Sequence, residues 1–88
     1  MMAHRPYQRN DPVAYLDKGQ EVNGTIVKGR QCFYPQSTVT KYGNGSLGPI
    51  AYGYKIRGPI IQADGSFYMV RGEVAHGIKF VDERDVLP

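Results

Sequence analysis

Few residues in this chain are of types that do chemistry, and their spacing decides how far each can be taken. Gly43-Asn44-Gly45-Ser46-Leu47-Gly48 fits G-x-G-x-x-G, the pattern in which glycine amides opening a helix hold a pyrophosphate. That arrangement needs a buried strand before the glycines and a helix after them. Here Pro49 is followed by the strand-like run Ile50 to Ile56, so the segment reads as the tip of a glycine-rich loop. Cys32 precedes Phe33 and Tyr34, an apolar setting that suits a buried, inert thiol. His4 and His76 have no Ser or carboxylate at a spacing that points to a triad, and Glu83 and Asp85 stand in an acidic tail where surface charge is expected. One Cys excludes an internal disulfide, and with two His it cannot complete a zinc site; no cofactor or metal is expected.

A doubled phrase carries more. Tyr54-Lys55-Ile56-Arg57-Gly58 is echoed by Tyr68-Met69-Val70-Arg71-Gly72 across the turn-like Ala63-Asp64-Gly65-Ser66. Lys55, Arg57 and Arg71, joined by Lys28 and Arg30, supply cations that hold phosphate, and Tyr52, Tyr54, Phe67 and Tyr68 supply rings on which bases stack. Strand alternation turns Tyr54 with Ile56, and Tyr68 with Val70, to one side and both arginines to the other, so the repeat reads first as one strand pattern used twice. Net charge is +3, unevenly spread. Between Gly24 and Gly72 six basic residues face one acid, Asp64, whereas from Glu73 onward four acids face Lys79 and Arg84. A positive centre attracts phosphate or an acidic protein, or pairs with the chain's own acidic end.

The elements that must position these residues are short strands. With 88 residues, 11 Gly and 6 Pro, and no helical periodicity over two turns, the chain is expected to fold as one all-β domain over residues 11–88, after a flexible basic arm at 1–10. Strands are expected at Pro12 to Leu16, at Glu21 to Cys32 with bends at Gly24 and Gly29, and from Ile50 to Gly58. Asp64-Gly65 marks a hairpin between Ile60–Gln62 and Phe67–Val70, and His76-Gly77 a turn into a last strand, Ile78 to Val81. Asp82 caps a single 3-10 turn over Glu83-Arg84-Asp85-Val86. Residues 34–49 form a long connection of the kind that carries function. No apolar run approaches bilayer length and the start lacks a secretory core, so a cytoplasmic protein with no membrane partner is expected.

The segments Asp11 to Gly29 and Tyr68 to Pro88 together resemble small bacterial SH3-like barrels, in which an opening strand and a G-x-I-V strand precede a closing strand running into V-x-E-x-D-V. The resemblance implies a small SH3-like barrel of five or six mainly antiparallel strands, with 34–49 as an enlarged loop. The plasmid-borne type II dihydrofolate reductases are SH3-like chains of this size that build one active pore in a tetramer. Gly77-Ile78-Lys79-Phe80 lacks the glutamine of their motif, so that activity does not carry over. Seven tyrosines exceed what so small a core buries with every hydroxyl satisfied, which points to a homo-oligomer. The leading expectation is a non-enzymatic interaction module, protein-binding or self-assembling, contacting its unknown partner through Tyr34, Tyr42, Asn44 and Tyr52. The alternative is a nucleic-acid binder using Lys28, Arg30, Lys55, Arg57 and Arg71, and the third an enzyme whose site exists only in the oligomer.

Overall fold

The computed structural model describes residues 6–33 and 50–88. The chain is a small all-β domain with β1 at Pro12–Asp17, β2 at Gln20–Phe33, β3 at Ala51–Pro59, β4 at Met69–Val70, β5 at Glu73–Val74 and β6 at His76–Asp82. A 3-10 turn, Glu83–Asp85, follows β6. Four strands make one antiparallel sheet in the order β1-β2-β3-β6, and β4 pairs with β5 in a separate two-stranded ribbon. After the 3-10 turn the chain returns to the first strand, where Val86 bridges Tyr15 and the Leu87 amide donates to the Ala14 carbonyl at 2.9 Å. The sheet is thereby curled toward closure.

Alternation fills the space inside the curl. Val13 and Tyr15 of β1, Val22 and Ile26 of β2, Tyr54 and Ile56 of β3 and Val81 of β6 form the core, with Ile61 added from the following hairpin. Each such side chain contributes roughly 1.5 to 3 kcal/mol by leaving water. Tyr15 is fully buried, and its ring end lies on Gly58 and beside Gly24. A Cβ at Gly58 would collide with the Tyr15 hydroxyl, and one at Gly24 would come within 2.6 Å of the Arg57 carbonyl oxygen. The two glycines are there for close approach. The irregularities of β2 fall between Ile26 and Lys28 and between Lys28 and Gln31, so the bend expected at Gly29 is present and the one expected at Gly24 is not.

One end of the barrel is clasped by two turns. The Lys18 ammonium donates to the Ile61 carbonyl at 2.6 Å, the Gln20 side-chain amide donates to the Gly65 carbonyl, and the Lys79 ammonium meets the buried carboxylate of Asp17. The Asp64-Gly65 hairpin forms, with Asp64 accepting from the Ser66 amide at 2.9 Å and Ile61 bridging Phe67. Beyond it the expected strand does not hold. Arg71 and Gly72 both have positive φ (52° and 79°) and make a tight two-residue turn between β4 and β5. Tyr68 and Val70 are exposed where an inward pair was expected, because the ribbon they start stands off the main sheet. His76-Gly77, expected to turn, is the start of β6, opposite Pro59 and Gly58. Asp82 does cap the 3-10 turn, accepting from the Arg84 amide at 2.8 Å. Residues 6–10, counted with the basic arm, are held by the Asn10 amide on the Ile26 carbonyl (2.8 Å) and by Tyr7 packing on the core.

The Tyr15 hydroxyl has no hydrogen-bond partner among the described residues. Burial, and secondarily the Asp17 carboxylate, push its pKa above the ordinary 10.0. The folded state therefore holds this proton longer than the unfolded chain, so stability is intact below pH 10.0 and falls as pH rises beyond it. Tyr15→Phe is expected to leave the fold as stable or up to about 1 kcal/mol more stable, and to blunt the alkaline loss, in urea melts at neutral and high pH. Gly58→Ala is expected to cost about 1 to 3 kcal/mol by overpacking in the same assay.

Candidate functional site

Strand register sorts the candidate residues onto two surfaces. On the outward face of the main sheet Lys28 stands opposite Lys55, which stands opposite Phe80, and Thr25 stands opposite Arg57, which stands opposite Ile78. Phe33, opposite Ala51 at the end of β2, stacks on Phe80 with ring centroids 5.5 Å apart and planes 20° apart. The Lys55 ammonium lies 5.2 Å from the centroid of the Phe80 ring. Ile78 and Phe80 stay exposed, at 46% and 47%, although they sit mid-strand. The outcome is a strip of aromatic and aliphatic surface flanked by three cations.

Those cations have no internal counter-charge. The ion pairs among the described residues are Arg30 with Glu83, Lys79 with Asp17 and Arg84 with Asp82. Residues 1–5 and 34–49 contain no Asp or Glu, so no further side-chain carboxylate remains for Lys28, Lys55 or Arg57. Among the described residues, the expectation that the positive centre pairs with the acidic tail holds for Arg30 alone, where Glu83 accepts from the guanidinium at 2.7 and 3.2 Å. Arg30 also lies 4.1 Å above the centroid of the Tyr52 ring.

Arg30 belongs to the second surface, an open cleft of about 480 Å³ at the other end of the barrel. Tyr7, Tyr54, Val86, Leu87 and the two prolines Pro6 and Pro88 line it together with the Arg30–Glu83 pair. Its polar groups satisfy one another. The Tyr54 hydroxyl accepts from the Tyr7 amide, the Tyr7 hydroxyl donates to the Leu87 carbonyl, each at 3.3 Å, and the two rings meet edge to face at 5.7 Å.

The sequence-derived candidates are therefore dispersed. Lys28, Lys55 and Arg57 share the outward face, Arg30 lines the cleft with its guanidinium over the Tyr52 ring, and Arg71 is carried away on the β4–β5 turn. Tyr34, Tyr42 and Asn44 lie outside the described residues. The aromatic partners of the basic face are Phe33 and Phe80, which the sequence reading passed over in favour of tyrosines. The signal was available in the alternation of β6, which sends Ile78 and Phe80 to the same side as Lys55 and Arg57. Cys32, expected to be buried, is exposed, because its neighbours Phe33 and Gln31 turn to the opposite side of β2. Among the described residues no three His, Cys, Asp or Glu side chains converge on a point where a metal ion could sit, and no helix is long and apolar enough to cross a membrane.

The chain matches no family model, no curated protein and no solved structure.

The Arg30 guanidinium, through its hydrogen bonds first, holds the Glu83 carboxyl below its ordinary 4.5 and is itself raised. A lowered folded value means the pair supports the fold above pH 4.5 and is lost as pH falls through the folded value. Both side chains are about 40% exposed, so solvent screens most of the effect on stability. Site-resolved NMR titration is expected to place the Glu83 midpoint below 4.5 and to bring it back toward that value in Arg30→Ala.

Proposed function

We propose that this chain is a non-enzymatic interaction module on an SH3-like barrel, and that its outward β2–β3–β6 face binds single-stranded nucleic acid. The observation that carries the reading is the set of three unpaired cations, Lys28, Lys55 and Arg57, around the exposed Phe80 stacked with Phe33. An exposed ring offers a stacking surface to a base without regard to its identity, and neighbouring cations take the phosphates and release counterions. A helical groove reader would need an element projecting from the surface; an open strand face suits a splayed single strand. Support for the SH3-like reading is the meander β2-β3-β6, the 3-10 turn after it, and the return of Val86 and Leu87 to β1. Contact with a protein through Tyr34, Tyr42, Asn44 and Tyr52 is the second reading, and the exposed apolar residues of the Phe67 to Val70 segment favour some protein contact.

Fluorescence anisotropy with a labelled oligothymidine, repeated over a salt series, tests the nucleic-acid reading. Lys55→Ala and Arg57→Ala are each expected to weaken binding and to lower the slope of log K against log salt by about 1. Phe80→Ala is expected to weaken it by about 1 to 3 kcal/mol with the slope unchanged. Arg71→Ala, on the remote turn, is expected to leave both alone. Absence of salt-dependent binding by the unmodified chain sinks the reading.

A further inference from the structure

Every strand of the main sheet except β6 has both edges engaged for part of its length. β2 and β3 are internal, and β1 receives Val86 and Leu87 on its far side. β6 pairs with β3 alone, and among the described residues no strand pairs with its other edge. Edge strands of folded proteins are normally blunted by a charge, a proline or a bulge on their exposed side, since free amides and carbonyls invite another strand. Apart from its two ends, the outward side of β6 carries Ile78 and Phe80, and its register to β3 runs without a bulge from His76 to Asp82. An inward-pointing charge also guards an edge, and β6 has one in Lys79, but its ammonium is neutralised by Asp17 of its own chain.

We infer that β6 is the docking edge for a second copy of this chain, the two β6 strands pairing antiparallel about a two-fold axis through Lys79. In that register the outward residues are self-complementary. His76 meets the second copy's Asp82, Ile78 meets its Phe80, and the same two contacts repeat on the other side of the axis. Moving the axis to Ile78 sets His76 against Phe80, and moving it to Phe80 sets Ile78 against Asp82; a half-residue step sends apolar side chains to opposite faces. On the outward face, the Lys79 register alone sets no apolar side chain against a polar or charged one. Lys79 meets its own copy on the inner face, where each ammonium is already neutralised by Asp17 of its own chain. The product is an eight-stranded sheet in which the rows Lys55–Phe80 and Ile78–Arg57 of the two copies become continuous. This inference does not depend on the nucleic-acid reading.

Light scattering at NMR concentration is expected to give twice the mass of one chain, and Ile78→Lys to return it to one chain with the amide spectrum still dispersed. Ile78→Lys adds a cation to the outward face, so oligonucleotide binding survives in the monomer if that face binds nucleic acid. Register is read separately in a Cys32→Ser background by mixing an Ile78→Cys chain with a Phe80→Cys chain under mild oxidation. Directly opposed positions bridge and diagonal ones on the same face do not, so the mixture is expected to cross-link several-fold more than either chain alone. A single-chain mass for the unmodified protein, a dimer that survives Ile78→Lys, or equal cross-linking in the separate samples overturns the inference.

Discussion

The fit of Tyr15 between Gly24 and Gly58 is the constraint on which the rest of this structure depends. A tyrosine is large for a core to which the described residues contribute eight buried side chains, and it is accommodated because two paired strands present bare backbone to it. From that position it reaches across the sheet to β3 and, through its own backbone, holds Val86 at the seam. It brings a hydroxyl that finds no partner among the described residues, a loss of hydration that no hydrogen bond there offsets. The clasp of Lys18, Gln20 and Lys79 at one end and the Tyr7–Tyr54 contact at the other complete the barrel around it.

The same alternation that points Tyr54 and Ile56 inward points Lys55 and Arg57 outward, so the core and the basic face are two sides of one decision. Each acid placed near a cation is already committed: Glu83 to Arg30, Asp17 to Lys79, Asp82 to Arg84. What is left over is positive, planar and interleaved with exposed rings. Electrostatics and packing thereby separate a neutralised end, with its cleft, from a face whose charge must be met from outside.

Strand identity was legible in the sequence wherever inward and outward residues alternated cleanly, as in Pro12 to Asp17 and Tyr54 to Arg57, and so was the Asp82 cap. The doubled phrase misled because Arg71-Gly72 supplies the chemistry of a tight turn inside what looked like a strand, with an arginine taking a backbone conformation that glycine or asparagine usually fills. Local pattern could not separate Arg30 from Lys28 either. The irregularity of β2 between Lys28 and Gln31 turns one to the cleft and leaves the other on the outward face, and a bulge is a property of two strands together. The burial of Asp17 depends on Lys79, a partner 62 residues away that no window along the chain connects.

The seam that closes the barrel joins residues from opposite ends of the sequence, with the Tyr7 hydroxyl reaching a carbonyl 80 positions on. It is a single bridge, with the Leu87 amide on the Ala14 carbonyl as its hydrogen bond, against full ladders elsewhere. Contacts so distant in sequence form only after the loop between them has lost its freedom, so the meander assembles first and the seam last. Read in reverse, the seam is held by few bonds, and its opening would lift Val86 and Leu87 out of the cleft without breaking the β2–β3–β6 ladders. The cleft is thus walled in part by the chain's last residues, whereas the basic face is spanned by two ladders of the main sheet.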